Sequence, residues 1–205
     1  MLAVVDYGVG NLFSLTGSLK AIGADAVVTG DEKVIRSADK IILPGVGAFG
    51  DAAKKLRDLC LDRVLIEEAK AGKEIMGICL GMQLLFEKSF EYGEHNGLGL
   101  LKGKIVPMSG SLPEELKIPH IGWNGLHKQK DSRLLRNVRE NDCVYFVHSY
   151  YAVDCEESLI ATAEYGRELT AAVEKDNISG CQFHPEKSGK VGLAILKSFV
   201  FGENV

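Results

Sequence analysis

The sequence predicts an α/β fold: an open, mainly parallel central sheet flanked by helices, with an antiparallel or mixed C-terminal part. Up to about residue 97, short apolar runs alternate with helical patterns, and this order of elements is typical of a parallel sheet. Ile41-Ile42-Leu43 is a continuous apolar run, as expected of a strand that is buried on both faces. After Gly97, strand-like runs follow one another and are joined by turns.

In the first half, hydrophobic spacing and glycine stops define the elements. Apolar residues at 12, 15, 19 and 22 recur at helical spacing, and Gly23 provides the stop. Gly72 similarly ends a longer helical pattern. The predicted elements are, in order, a strand at 2–5, a helix at 12–22, strands at 26–28 and 41–43, a helix from about 49 to 70, and a strand at 74–76 leading into a turn and a helix.

The second half predicts strands at 98–106, 120–126, 143–153, 159–165, 169–173 and 178–183, then a closing helix at 191–200. No linker, repeat or low-complexity segment interrupts the chain. A length of 205 residues is enough to bury a substantial core. We therefore expect residues 1–205 to form a single domain.

Composition excludes several classes of function. The net charge is −4 and the 24 Lys and Arg residues are scattered, which argues against nucleic-acid binding. No apolar run approaches the roughly 20 residues that a membrane span needs. The five cysteines are odd in number and form no C-x-x-C pair, which argues against a disulfide framework or a zinc site. The N-terminal residues lack the pattern of a signal peptide, so we expect a cytoplasmic protein.

Gly77-Ile78-Cys79-Leu80-Gly81 lies between an apolar strand and an amphipathic run. This segment, here called the elbow, is the cysteine form of the nucleophile elbow G-x-[nucleophile]-x-G. Such a turn presents the Cys79 side chain above the sheet, and the next N–H, that of Leu80, can donate to an oxyanion. Because cysteine is among the most buried residue types, this pentapeptide alone leaves a packed thiol as an equal alternative.

A second candidate segment, His184-Pro185-Glu186, ends the strand predicted at 178–183. A thiol nucleophile needs a base, and the base needs an acceptor that orients it. His184 can supply the first role and Glu186 the second. A surface histidine beside a solvated carboxylate is the alternative for this tripeptide alone. Together with the elbow, it predicts a catalytic triad of Cys79, His184 and Glu186.

The segment Gly45-Val46-Gly47-Ala48-Phe49-Gly50 matches the dinucleotide fingerprint G-x-G-x-x-G. A dinucleotide site also needs an acidic residue at the end of the next strand, where this chain has Cys79 instead. Nucleotide binding is therefore the weaker interpretation. A glycine loop beside the nucleophile is better suited to aim a backbone N–H at an oxyanion.

The residues Gly77–Gln83 and Gln182–Glu186 resemble the class I (triad) glutamine amidotransferases. Within that superfamily, further segments resemble the glutaminase subunits of imidazole glycerol phosphate synthases of histidine biosynthesis; these are residues 6–11, 43–49, 119–124 and 145–150. The resemblance runs from the first residues to the last helix. It implies that the whole chain is one glutamine amidotransferase type 1 domain.

The resemblance also implies a reaction and a substrate site. Cys79 would attack the side-chain amide of glutamine, and His184 would protonate the departing ammonia. The second oxyanion donor would lie near Val46 or Gly47. Neither a metal nor an organic cofactor is expected. The resemblance places the bound glutamine against four residues, namely Gln83, Glu91, Ser149 and Tyr150.

Ammonia from this reaction must reach a partner, which the resemblance identifies as a cyclase subunit with a (β/α)8-barrel fold, forming a heterodimer. The chain is shorter than the roughly 250 residues of such a barrel. Asn11, Trp123 and Lys187 are expected at the interface. Three alternatives remain open: a glutaminase for another ammonia-dependent synthase, a non-catalytic α/β regulatory or binding module, and a cysteine peptidase or hydrolase on a related fold.

Overall fold

The computed structural model describes residues 1–113 and 115–202. Its strands are β1 Leu2–Val5, β2 Ala26–Thr29, β3 Lys40–Gly45, β4 Glu74–Cys79, β5 Phe86–Ser89, β6 His95–Asn96, β7 Leu101–Pro107, β8 His120–Gly125, β9 His127–Lys128, β10 Cys143–His148, β11 Tyr150–Val153, β12 Leu159–Glu164, β13 Glu168–Lys175 and β14 Ile178–Cys181. Its helices are α1 Leu12–Ala21, α2 Glu32–Ser37, α3 Phe49–Asp58, α4 Leu61–Lys70, α5 Leu80–Leu84 and α6 Gly189–Phe201, with a 3-10 turn at Pro185–Lys187.

The main sheet has the order β2-β1-β3-β4-β14-β13-β12-β9. Its first five strands are parallel, and β13, β12 and β9 continue it antiparallel. Neighbouring residues of β3, Ile42 and Leu43, enter different hydrophobic clusters because successive side chains of a strand point to opposite faces. Helices α3 and α4 cover one face, while α1 and α6 cover the other.

Two smaller sheets are built mainly from strands in the second half of the chain. Strands β8 and β10 form an antiparallel pair, and β11-β7-β5-β6 form a mixed sheet. The predicted fold class is therefore confirmed: a mainly parallel sheet covered by helices, with a mixed C-terminal part. In the part of the chain that the structure describes, no helix has the length and apolar character needed to cross a membrane.

Several predicted elements were wrong in extent. The helix expected at 49–70 is two helices, since Cys60 adopts the left-handed conformation with φ 57° between α3 and α4. The apolar spacing continues across this break, and no glycine or proline marks it. The strand expected at 143–153 is split at Ser149 into β10 and β11, which belong to different sheets. Helix α2 and the short strands β5, β6 and β9 were not predicted.

The start of α5 lies in direct backbone contact with β3 and β4. A Cβ added to Gly81 would lie 1.8 Å from the carbonyl oxygen of Leu43, and one added to Gly77 would lie 2.6 Å from that of Gly81. Only residues without a side chain allow this approach. The two glycines of the elbow are therefore required by packing, and this packing fixes the position of Cys79.

We expect Gly81→Ala to lower the free energy of unfolding by roughly 3 kcal/mol or more, because the new methyl group meets backbone atoms that cannot rotate away. Urea denaturation checks this. Gly17→Ala is the matched control: a Cβ there meets nothing within 4 Å, and the residue lies exposed in α1. It should be neutral or stabilise by up to about 1 kcal/mol. Equal stabilities for the two variants would contradict the packing argument.

Candidate active site

Cys79 is the last residue of β4 and immediately precedes α5. Its backbone has φ 54° and ψ −112°, a conformation that non-glycine residues rarely adopt. Such strain persists only where the surrounding structure enforces it, as the glycine contacts do here. The side chain faces a pocket of about 520 Å³ and is otherwise buried.

The predicted base and its acceptor meet next to this cysteine. His184 follows β14, the parallel neighbour of β4, so both strands end at the same edge of the sheet. Its Nδ1 lies 2.8 Å from Oε1 of Glu186, and both side chains are only 3% exposed. Burial by itself lowers the pKa of His184, but hydrogen bonds with Cys79 and Glu186 raise it to about 10. Both neighbours therefore favour the protonated form of His184, the form in which the ring can donate to each of them.

The residues predicted to form the oxyanion loop lie beside the nucleophile. Gly45 pairs in register with Cys79, so Val46 and Gly47 continue from β3 at the same edge. Gly47 has φ 94°, a conformation that favours glycine. The buried hydroxyl of Tyr7 donates to the Pro44 carbonyl at 2.8 Å, which anchors the start of this loop.

The pocket brings together the residues predicted for the oxyanion and for glutamine, which are Val46, Gly47, Leu80, Gln83, Glu91, Ser149 and Tyr150. They come from four separate parts of the chain. Gln83 is buried rather than on a helix surface, and its Nε2 donates to the Tyr150 carbonyl at 3.2 Å. Tyr150 itself is half-buried, with its ring edge-on to Tyr92.

Glu91 has a structural contact that the sequence did not indicate. Its Oε2 accepts from the Phe49 N–H at 2.6 Å, at the first residue of α3. Burial raises the pKa of Glu91, and this hydrogen bond partly offsets that effect. A carboxylate is favourable at a helix N-terminus. Glu91 thereby ties its own segment to the helix that directly follows the Gly45–Ala48 loop.

Two of the three predicted interface residues lie on one surface. Trp123 of β8 is 57% exposed, and its ring lies edge-on to Tyr145 at 6.2 Å. The Lys187 Nζ lies 5.7 Å from the centre of the same Tyr145 ring. Asn11, the third, caps α1 by accepting from the Ser14 N–H. Helix α1 packs against the 3-10 turn that contains Lys187.

Residues 3–202 match the family described as glutamine amidotransferase class-I. The chain belongs to this family. Relatives named imidazole glycerol phosphate synthase subunit HisH are 50% identical in Aquifex aeolicus, covering 96% of this chain and 94% of the relative, and 51% identical in Oceanobacillus iheyensis, covering 97% and 98%. The solved structure of PurLQS from Thermotoga maritima superposes with a TM-score of 0.74 at 23% identity, covering 97% of this chain and 96% of that one.

In this class I glutamine amidotransferase, the structure also pairs two histidines whose relation the sequence did not reveal. His120 Nδ1 lies 3.1 Å from His148 Nε2, and both rings are buried. His148 Nδ1 lies 2.9 Å from the Tyr150 carbonyl, which can only accept. The Asn124 Nδ2 can only donate, so His120 Nε2 accepts from it at 3.4 Å and His120 Nδ1 carries the proton that it donates to His148 Nε2. This series of hydrogen bonds requires both histidine rings to be neutral.

The pKa values agree with that requirement. Burial lowers the pKa of His120 to about 4. Burial, with a smaller contribution from the neighbouring histidines, lowers the pKa of His148 to about 3. The polar groups of this amidotransferase thus form a directed chain from Asn124 to the Tyr150 carbonyl, which Gln83 also contacts.

Because these two pKa values are lowered on folding, the unfolded chain takes up protons first as the pH falls below about 6.5. Their contribution to stability is present at pH 7 and is lost as the pH falls toward 4 and 3. We expect a loss of up to about 1.4 kcal/mol per pH unit for each histidine. Urea denaturation between pH 7 and pH 5 measures the change in stability summed over all titrating groups. A ¹⁵N NMR titration of the imidazole rings then isolates the contributions of His120 and His148.

The internal control is His127, whose pKa Glu168 raises. The His127 ring should gain its proton at or above about pH 6.5, the ordinary midpoint for histidine, while the rings of His120 and His148 stay neutral down to about pH 5. A midpoint near 6.5 for either buried ring would contradict the directed chain.

Proposed function

We propose that this chain is the glutaminase subunit of an imidazole glycerol phosphate synthase. It hydrolyses L-glutamine to glutamate and ammonia, and a cyclase subunit uses the ammonia to make imidazole glycerol phosphate and AICAR in histidine biosynthesis. The observation that carries the proposal is Cys79 in its strained conformation, facing a pocket beside the buried His184–Glu186 pair. Relatives about 50% identical over nearly the whole chain are named as subunits of that synthase.

In the proposed reaction, His184 first takes the proton of the Cys79 thiol. The thiolate attacks the carboxamide carbon of glutamine, and a tetrahedral oxyanion forms. His184 donates its proton to the leaving nitrogen, so ammonia departs and a glutamyl thioester remains. The now neutral His184 activates water, which releases glutamate. Glu186 keeps Nδ1 protonated throughout, so that Nε2 exchanges the proton.

Backbone donors stabilise the oxyanion. The Leu80 N–H follows the nucleophile directly, and the second donor comes from Val46 or Gly47. Such a donor contributes about 3 kcal/mol to transition-state stabilisation. The position of the loop beside Cys79 and the glycine at 47 support this assignment.

The pocket volume of about 520 Å³ lies in the range of small-molecule sites. We assign Gln83 and Ser149 to contacts with the polar groups of glutamine and Glu91 to its ammonium group. Tyr150 is assigned to the part of the pocket wall that contacts the glutamine side chain. The glutamine amide then lies toward Cys79, at the inner end of the pocket.

We further propose that the partner is a (β/α)8-barrel that docks over the pocket in the cytoplasm. Tryptophan is enriched among the residues that carry most of the binding energy of an interface. Trp123, Ile121 and Lys187 provide the docking surface, since the first two are each 57% exposed on β8. Asn11 extends it along α1. Docking there would carry ammonia to the partner before it reaches solvent.

Glutamate release from glutamine tests the main proposal. We expect low activity from the isolated chain and a marked increase with the cyclase of the same organism and a cyclase ligand. Cys79→Ala should abolish release while leaving the fold and the complex intact. Cys143→Ser, which changes an exposed thiol, is the matched control and should retain activity.

The same assay separates the alternatives. Activation by a synthase other than the cyclase would favour another glutaminase subunit. An intact complex with no glutamate release under any condition would favour a binding module, and peptide cleavage would favour a peptidase.

Trp123→Ala should weaken the complex by roughly 30-fold or more, since hot-spot aromatic residues contribute at least about 2 kcal/mol. Titration calorimetry with the cyclase checks this. Phe201→Ala, an exposed aromatic at the end of α6, is the control and should leave the affinity unchanged. Equal affinities of the Trp123→Ala variant and the wild type would contradict the docking surface.

A further inference from the structure

Gln182 is a fully buried amide at the reacting sulfur. It follows β14 directly, and its side-chain Nε2 lies 3.7 Å from the Sγ of Cys79, within hydrogen-bond distance for sulfur. Its backbone N–H donates to the Ala171 carbonyl at 2.8 Å, which fixes its place next to the sheet. An amide completely removed from water must find partners for its polar atoms. The mechanism described above gives this amide no task.

The surrounding contacts determine which way the amide faces. The Tyr150 carbonyl can only accept, so Gln83 must turn its Nε2 toward it. The same Nε2 lies 2.9 Å from the Gln182 Oε1 and donates to it. Gln182 therefore presents its oxygen to Gln83 and its N–H to Cys79. A flipped amide would set two NH₂ groups against each other and a carbonyl oxygen against the sulfur.

We propose that Gln182 is a positioning residue that holds the Cys79 sulfur through its N–H and holds Gln83 through its oxygen. One buried side chain thus sets the distance between the nucleophile and the substrate-binding amide. The inference deepens the proposed function and rests on it for the role of Gln83. The contact with the sulfur stands on the geometry alone.

The chemistry of the sulfur explains why a neutral donor is useful there. A hydrogen bond to a thiolate is charge-assisted and stronger than one between neutral groups. His184 approaches the sulfur too, but it gives up its proton during the reaction. Gln182 cannot titrate, so it continues to orient the sulfur after His184 has become neutral. The thioester sulfur carries little charge, so this contact weakens as the covalent bond forms and does not trap the intermediate.

Gln182→Met tests the proposal, because methionine has a similar length and no N–H. The measurement is the rate of Cys79 alkylation by iodoacetamide as a function of pH, in a Cys60→Ser, Cys143→Ser background that removes the two exposed thiols. At pH 7 we expect the rate to fall about tenfold or more, the effect of losing a hydrogen bond to a charged group. The midpoint of the pH profile should rise by about one unit.

Gln182→Glu is the second variant. It keeps an acceptor for Gln83 but replaces the donor with an anion, so the alkylation rate should fall further than in Gln182→Met. Gln129→Met is the control: Gln129 is an exposed glutamine whose side-chain Nε2 donates to Thr162 at the other end of the sheet. Cys79 in this variant should be alkylated at the wild-type rate, with the wild-type pH midpoint.

In the glutaminase assay with the cyclase, both Gln182 variants should lower kcat through the sulfur, and Gln182→Met, which removes the acceptor for Gln83, should also raise KM. A purely structural role would lower the melting temperature without moving the pH profile of alkylation. Folded Gln182 variants in which Cys79 is alkylated at the wild-type rate, with the wild-type pH midpoint, would overturn the proposal.

Wild-type protein offers a test that needs no variant at Gln182. The ¹⁵N side-chain amide signals of Gln182 should shift when Cys79 is alkylated, whereas those of Gln129 should not. An unchanged Gln182 signal would overturn the proposal, whatever the folding of the variants. The alkylation and NMR experiments use no glutamine. Failure of this inference can therefore be distinguished from failure of the proposed function.

Discussion

The candidate site depends on the parallel pairing of β3, β4 and β14. Parallel neighbours end at the same edge of a sheet, so Gly45, Cys79 and His184 come together although the chain separates them by long stretches. The contact of Gly81 with the Leu43 carbonyl then makes the position of Cys79 rigid. Without a side chain at residue 81, α5 can begin directly against β3. The loop at 46–47, the Leu80 N–H and the pocket all take their places from this arrangement.

Polar groups are buried around the nucleophile, and most of those described have a partner that limits their freedom; the Oε2 of Glu186 has none. Cys79 lies between the His184 ring and the Gln182 amide, and the Tyr150 carbonyl receives both Gln83 and His148. Buried polar groups are costly when unpaired and specify one arrangement when paired. The network therefore gives the pocket a single geometry and makes that geometry sensitive to protonation.

The two-stranded sheet of β8 and β10 has different chemistry on its two faces. Residues alternate along β8, so Ile121 and Trp123 are exposed while His120 is buried. The exposed side forms the proposed docking surface. The buried side carries the histidine pair that ends at the Tyr150 carbonyl. A short strand pair thus joins the proposed docking surface to a residue that lines the pocket.

The elbow, the His-Pro-Glu segment and the alternation of apolar runs determined the fold class and the candidate triad from sequence alone, because each is a local pattern with its own physical cause. The tertiary structure decided the rest. The break at Cys60 carries no glycine or proline, and the apolar spacing runs through it. Gln182 meets Cys79, and His120 meets His148, only because distant strands are paired side by side. Local periodicity records which residues are buried, but pairing between strands decides which buried polar atoms meet.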